Sequence, residues 1–272
     1  MKQLLFISSL ACSSVCYAQS AANESDSVNH RWEIGIAYNS VQAQMNQYLF
    51  DTWQVQSTNH YAALGDKHDK SYSVSVLPKY YIKNDLAFRI ELGFTAINLN
   101  KDYNAVGDTL SQNQGQMFGL ENVSKVGNIK QKIYRFIPGV EYTFLRKKFL
   151  TVYAGADFVF LFYDKVTWRD SVSLNDIPGR STTYFSETPG GIATGAGVRI
   201  GLRAEITKRI AIGCEFTDQL LYYNLGGKQT GTMHYYYPNG TELDLSWSIN
   251  NNSSKGVQFT KIIPSIHISA RI

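Results

Sequence analysis

The stretch LAFRIELGFTAI, residues 86–97, alternates apolar side chains with polar or small ones. Its apolar positions are Leu86, Phe88, Ile90, Leu92, Phe94 and Ala96. Arg89 and Glu91 occupy two of the positions between them. A period of two is the side-chain period of a β-strand, whereas a helix repeats every 3.6 residues. The stretch is therefore predicted to be a strand with one apolar and one polar face, a pattern shared by soluble sheets and membrane barrels.

The same alternation recurs along the chain and distinguishes these two classes. Strands are predicted at residues 32–38, 72–80, 86–97, 134–144, 149–160, 196–205, 210–217 and 262–272. Tight turns at KND, LRKK and TKR join three pairs, and the other four connections each run to roughly 25 to 40 residues. Strict alternation of long and short connections predicts an all-β fold, an eight-stranded antiparallel up-and-down transmembrane β-barrel with long extracellular loops and short periplasmic turns. Eight strands leave an interior filled by side chains.

The first residues are typical of export. MKQLLFISSLACSSVCYAQS combines a lysine, a short apolar run and small residues, so residues 1–18 are predicted to be a cleaved signal peptide. Lipid attachment at Cys12 is the alternative. Residues 19–30 are predicted to be disordered, and residues 31–272 to form the barrel. Cys214 would then be the only cysteine of the mature chain, a small strand residue. The net charge of +4 is too modest and dispersed to indicate a nucleic-acid partner.

Charged side chains fall on the face opposite the apolar one, which in a membrane barrel is the lumen. They are Glu33, Arg89, Glu91, Arg135, Glu141, Asp157, Arg199, Arg203, Glu205, Glu215 and Arg271. When residues are counted along each strand from the tight-turn end, four oppositely charged pairs fall at similar heights: Arg89 with Glu141, Asp157 with Arg199, Arg203 with Glu215, and Arg271 with Glu33. Because an isolated buried charge is costly, these pairs are predicted to form a structural plug. A proton or ion path is the alternative interpretation.

Three other features of the sequence could carry chemistry. His267 and Ser269 share the inner face, but they lie near the periplasmic end, away from the leaflet that a lipid-modifying enzyme would reach. The remaining histidines lack metal-ligand spacing, and GGIATGAG is followed by no helix. We therefore expect no catalytic residue, no cofactor and no metal.

Two local features of the strands carry further expectations. Pro78, Pro138 and Pro264 lie within strands, where β-bulges are expected. HYYYPNGTELDLSW predicts a hairpin around a type I′ turn at Asn239 and Gly240.

The alternation, with YAGAD at 153–157 and IPGVEYTF at 137–144, resembles the OmpA/OmpX-type eight-stranded outer-membrane barrels, the outer membrane protein β-barrel domain or porin-family proteins. The resemblance implies the outer membrane of a Gram-negative bacterium as the location. It also implies outer-membrane lipid and the barrel-assembly machinery as partners.

The expected function is that of a non-enzymatic membrane protein whose loops serve adhesion, surface protection or binding of an extracellular partner. Loop tyrosines and tryptophans either contact such a partner or pack on each other. A narrow porin-like channel for small solutes is one alternative, and a lipid A-modifying enzyme is another.

Overall fold

The computed structural model describes residues 31–39, 71–108, 121–174, 181–260 and 262–272. The predicted signal peptide, the predicted disordered segment and the first long connection lie outside the described residues. Within these ranges no helix is long and apolar enough to cross a membrane.

Eleven antiparallel strands make up the described chain. They are β1 (Trp32–Asn39), β2 (Tyr72–Tyr81), β3 (Leu86–Asp108), β4 (Glu121–Arg146), β5 (Leu150–Tyr163), β6 (Val166–Leu174), β7 (Ser181–Thr188), β8 (Gly191–Glu205), β9 (Ile210–Tyr236), β10 (Glu242–Phe259) and β11 (Ile263–Arg271).

Eight of these strands close into a ring in the order β1, β2, β3, β4, β5, β8, β9 and β11. The ring closes where β11 pairs with β1, with Glu33 opposite Arg271 and Ile36 opposite Ile268. Each strand predicted from the alternation supplies one member of the ring, so the eight-stranded antiparallel barrel is confirmed. Closure leaves every ring strand paired on both sides, which removes the exposed edges of an open sheet.

The remaining three strands continue ring strands beyond the barrel. β6 follows β5 along β4, and β7 precedes β8 along β9. β6 and β7 pair with each other from Val166 opposite Thr188 to Ser173 opposite Ser181. β10 precedes β11 and pairs with β9 over its whole length. Much of the second, third and fourth long connections is therefore paired strand instead of irregular loop. The sequence signalled only the last of these hairpins.

The β9–β10 hairpin forms as expected, but its turn differs from type I′. The amide of Gly240 donates to the carbonyl of Tyr237 at 3.0 Å, which makes Pro238 and Asn239 the central residues. A proline cannot take the positive φ that a type I′ turn requires at that position. Gly240 follows with a φ of 80°, a left-handed conformation that glycine adopts without strain.

The outer surface of the ring carries an apolar belt flanked by aromatic side chains. Trp32 and Tyr142 lie near the tight turns, and Tyr38, Tyr72 and Tyr134 lie near the opposite end, all of them exposed. Along β2 the rings of Tyr72 and Tyr80 are separated by eight residues, about 27 Å of strand. Exposed isoleucine, valine, leucine and phenylalanine fill the interval. An exposed apolar band about 25 Å tall between aromatic girdles is the surface that a bilayer requires.

The inward side chains form two regions. The region near the tight turns is polar and charged, and along β2, β3 and β4 it extends upward through Ser73, Thr95 and Arg135. Above it lies an apolar cluster formed by Ile97, Ile129, Ile133, Ile137, Val159, Leu161, Tyr163, Val166, Ala193, Leu221 and Leu225. Trp168 and Tyr223 pack against this cluster.

The three strand prolines occupy the ladder without the expected bulges. Pro78 lies opposite Ile34, Pro138 opposite Ile90 and Pro264 opposite Phe216, each in continuous register. Pairing lapses instead on the other side of the first two prolines, at residues 77–78 towards β3 and at residues 137–138 towards β5. Because proline has no N–H, the strand loses ladder pairing with one neighbouring strand at that point. The register of the two strands is the same on both sides of the gap.

Candidate functional site: the charged network inside the barrel

The charged network consists of inward side chains from all eight ring strands. Its acidic members are Glu33, Glu91, Glu141, Asp157, Glu205 and Glu215. Its basic members are Lys79, Arg89, Arg135, Arg199, Arg203 and Arg271. With six of each sign the network carries no net formal charge, and it includes all eleven charged residues that the alternation places inside.

The centre of the network spans the lumen. Arg89 on β3 contacts Glu215 on β9 at 2.5 Å, and these strands stand four places apart in the ring of eight. The hydroxyl of Tyr153 on β5 donates a hydrogen bond to the same carboxylate at 2.6 Å. Arg89 also lies 3.8 Å from Glu141. Contact between opposite walls requires the lumen to be no wider than two long side chains.

A second set of contacts crosses the lumen closer to the turns. Arg203 on β8 donates to Glu33 on β1 at 3.0 Å, and the hydroxyl of Tyr81 donates to the same carboxylate at 2.8 Å. Lys79 on β2 lies 2.7 Å from Glu141 on β4 and 3.8 Å from Glu33. Glu33 and Glu141 are therefore each shared between several cations.

The network continues towards both ends of the barrel. At the turn end, Arg271 bonds Glu205 at 2.6 Å and lies 3.6 Å from Glu33. Higher up, Arg199 pairs with Asp157 and lies 3.9 Å from Glu215.

On another wall, Arg135 lies 3.4 Å from Glu91 and donates to the hydroxyls of Ser73, Thr95 and Ser75 at 2.7 to 2.9 Å. Every charge is thus linked to the next by contacts within 4.0 Å.

One of the four expected pairs is wrong. Arg89 with Glu141, Asp157 with Arg199 and Arg271 with Glu33 lie within ion-pair distance. Arg203 instead contacts Glu33 at 3.0 Å and Glu141 at 3.9 Å.

The reason for this difference is Tyr153. Its ring lies against the backbone of Gly201, opposite Glu215 in the ladder. The Arg203 guanidinium lies 5.7 Å from the centre of that ring. The tyrosine therefore separates Arg203 from Glu215.

Three members of the network were not predicted from the sequence: Lys79, Tyr81 and Tyr153. Lys79 lies on the same inward-facing side of its strand as Ser75 and Leu77, and this alternation could have identified it as an inward residue. Both tyrosines also follow the inward parity of their strands, but nothing in the sequence indicates that their hydroxyls bond Glu33 and Glu215.

The side chains at the centre of the network are almost fully buried. Arg203 and Tyr153 are 0% exposed, and Arg89 and Glu141 are 1% exposed. A passage wide enough for water would leave the side chains along it exposed. Since the charges are balanced and contact each other across the lumen, the cost of burying them is partly compensated. Chemically, this arrangement is suited to filling and cross-bracing the barrel.

The histidine and serine of the last strand lie inside the same layer. His267 and Ser269 are 3% and 4% exposed, and Nδ1 of His267 lies 4.0 Å from Glu215. Among the described residues, both side chains are therefore enclosed by the charged network. Among the described residues no group of three histidine, cysteine or carboxylate side chains is placed to hold a metal ion. Cys214 is a free thiol that is half-buried in the wall.

The hairpins beyond the barrel carry aromatic and mixed charged surfaces. Trp168 and Tyr184 stack with ring centres 6.4 Å apart, and Tyr235 stacks on Tyr237 at 6.5 Å. Near the base of β6, Lys165 donates to Glu187 at 2.6 Å, and this hydrogen bond raises the pKa of the lysine.

A closed antiparallel ring with an apolar outer belt, aromatic girdles and a polar interior layer defines the class: an eight-stranded β-barrel of the outer-membrane type. No family model and no curated protein matches the chain.

Among solved structures, the chain is similar to a major outer membrane protein from Thermus thermophilus, at 11% identity and a TM-score of 0.37, over 90% of this chain and 100% of that one. It is also similar to the outer membrane protease OmpT from Escherichia coli, at 14% identity and a TM-score of 0.40, over 74% of this chain and 64% of that one. A third is CarO from Acinetobacter baumannii, at 11% identity and a TM-score of 0.30, over 75% of this chain and 95% of that one. These likenesses concern the fold alone.

Proposed function

We propose that this chain is a non-enzymatic integral protein of the outer membrane, exported by a cleaved signal peptide and inserted by the barrel-assembly machinery. The barrel anchors the protein in outer-membrane lipid. Its long connections face the outside of the cell and serve adhesion, surface protection or contact with an extracellular partner. Nucleic acid has no part in this role.

The observation that carries the proposal is the filled lumen. Ion pairs join opposite walls, from Arg89 to Glu215 and from Arg203 to Glu33. The apolar cluster lies directly above them. A barrel with this interior is a rigid support, and the parts left to interact with other molecules are its lipid face and its two ends.

The paired hairpins support the second part of the proposal. β10 is 18 residues long and most of its side chains are exposed. The stacked pair of Tyr235 and Tyr237, close to the tip of the β9–β10 hairpin, gives this hairpin aromatic side chains of the kind that is enriched in contact surfaces. Strand pairing holds these side chains in fixed positions, which reduces the entropy lost when a partner binds.

The test is whole-cell labelling of single cysteines in a Cys214→Ala background. Asn239→Cys and Ser246→Cys place a thiol on the β9–β10 hairpin, whereas Asn84→Cys and Lys147→Cys place it in tight turns, all at exposed positions. We expect an impermeant maleimide to label the hairpin positions on intact cells and the turn positions only after the outer membrane is opened. Labelling of the turn positions on intact cells would contradict the orientation, because both ends cannot face the medium.

A further inference from the structure

The tight-turn end of the barrel carries a cluster of exposed cations. The three turns, residues 82–85, 147–149 and 206–209, contain Lys83, Lys147, Lys148, Lys208 and Arg209, against one acidic residue, Asp85. All five cations are exposed. Arg31 and Arg146 flank them, and Arg146 is held by a 2.6 Å hydrogen bond to the carbonyl of Asn84. We call this set the basic rim.

The turns that carry the rim have defined backbone geometry. In the first, Ile82 and Lys83 donate to the carbonyl of Leu86 at 2.9 and 3.1 Å. In the third, Thr207 accepts from the amides of Arg209 and Ile210 through its hydroxyl, at 3.2 and 2.9 Å. The cations therefore project from fixed points around the end of the ring.

Exposed aliphatic side chains lie among these cations. Ile82, Leu145, Ile206 and Ile272 are 41 to 66% exposed. The aromatic side chains of Trp32 and Tyr80 lie next to each other at the turn ends of β1 and β2, with ring centres 4.9 Å apart. Exposed apolar groups beside water would be unfavourable, whereas at the edge of a bilayer they meet acyl chains while the cations reach the headgroups. The rim is thus at headgroup height.

The opposite end lacks this bias. On the described hairpins, Lys165 pairs with Glu187, and Lys228 and Lys255 share the surface with Glu242 and Asp244. Among the described residues, an excess of cations therefore occurs at the turn end, and it matches a surface of anionic phosphates.

We propose that the basic rim binds the anionic headgroups of phospholipids in the leaflet that the turns face. This inference rests on the membrane insertion in the proposed function. The cations contribute attraction to the phosphates, and the neighbouring aliphatic side chains anchor the turns beneath them. The rim would fix the depth of the barrel in the bilayer and enrich anionic lipid around it.

The experiment uses Trp32 as a reporter beside the rim. Trp53, Trp168 and Trp247 are replaced by phenylalanine, and the chain is refolded into phosphatidylcholine vesicles that contain a minor fraction of either brominated phosphatidylglycerol or brominated phosphatidylcholine. Bromine quenches a nearby indole, so the ratio of the two quenching efficiencies measures enrichment of the anionic lipid. Heat-dependent gel mobility in pure phosphatidylcholine verifies insertion separately.

Each basic side chain near an anionic surface raises lipid binding by about fivefold, so we expect phosphatidylglycerol to quench Trp32 at least about twice as strongly as phosphatidylcholine at low salt. The excess should fall at high salt. It should also fall sharply in the rim variant Arg31→Gln/Lys83→Gln/Lys208→Gln/Arg209→Gln, which removes the rim cations nearest Trp32. The matched hairpin variant, Lys165→Gln/Arg169→Gln/Lys228→Gln/Lys255→Gln, removes as many cations from the other end and should keep the excess.

Two results would overturn the inference. One is equal quenching by both lipids in a barrel that inserts normally, and the other is an excess that persists in the rim variant. Equal quenching together with rim-dependent co-sedimentation with peptidoglycan would assign the cations to the cell wall. Failure to insert into neutral vesicles would instead count against the proposed membrane role itself.

Discussion

The contact between Arg89 and Glu215 provides the sharpest test of the network. Glu215→Gln removes the carboxylate that lies 2.5 Å from Arg89 and leaves a side chain of nearly the same size. Two unit charges about 4 Å apart attract by about 4 kcal/mol at an effective dielectric constant of about 20. Glu91 and Glu141, at 3.7 and 3.8 Å from Arg89, compensate part of the loss. We expect the free energy of unfolding to fall by about 3 to 5 kcal/mol, as for other broken buried pairs.

A double-mutant cycle isolates the pair from its surroundings. Arg89→Met alone should cost a similar amount because it leaves Glu215 buried beside fewer cations. The double variant should lose less than the sum of the single variants, with a coupling free energy of about 1 to 3 kcal/mol. Urea titration of the barrel in phosphatidylcholine vesicles, followed by heat-dependent gel mobility, measures all four proteins.

The exposed pair Lys165 and Glu187 is the matched control. It has a similar contact distance of 2.6 Å, but its side chains are 54% and 32% exposed. Solvent screening should make its coupling much weaker than that of the buried pair. Equal coupling in the two pairs, or none between Arg89 and Glu215, would refute the claim that the lumen is dry and cross-braced.

Three further substitutions test the wall and one turn. Ile200→Arg places a charge on the lipid face and should lower the free energy of unfolding by about 2 to 4 kcal/mol. Ile200→Leu, the control, should lower it little. A larger loss for leucine than for arginine would mean that this face points into the barrel. Gly201→Ala brings a methyl group against the buried ring of Tyr153 and should cost about 1 to 3 kcal/mol. Gly197→Ala on the same face meets its nearest atoms at 3.3 Å and should be milder, so equal losses would show that the ring does not constrain Gly201. Gly240→Ala forces a left-handed alanine at a φ of 80° and should cost about 1 to 2 kcal/mol, and an unchanged urea midpoint would contradict that backbone geometry.

The barrel and its inward charges were predictable because they depend on a period of two and on connection lengths. Neither quantity requires knowledge of distant contacts. Each inward charge, such as Glu33 or Arg199, follows from the parity of its own strand.

Partner choice within the lumen was not predictable to the same degree. Arg203 and Glu215 lie on neighbouring strands at similar heights, yet Tyr153 lies between them and Arg203 reaches across to Glu33. Such contacts depend on the tilt of the strands and on the path of each long side chain across the lumen, which local patterns do not contain.

The apolar cluster above the network could not be predicted from the alternation of apolar and polar residues either. Ile133 and Ile137 occupy inward positions of β4, where the expectation of a polar lumen gave no reason for isoleucine. They pack against Val159 and Leu161 from the neighbouring strand, so their role depends on the way the ring closes.

Planar-bilayer conductance of the purified barrel tests most directly the central claim that the lumen is filled. The account predicts no steady conductance from the unmodified protein, because Arg89, Arg203 and Tyr153 are buried and fill the lumen at the height of the network. Steady conductance through the unmodified barrel would contradict the account and establish the channel function in place of the scaffold.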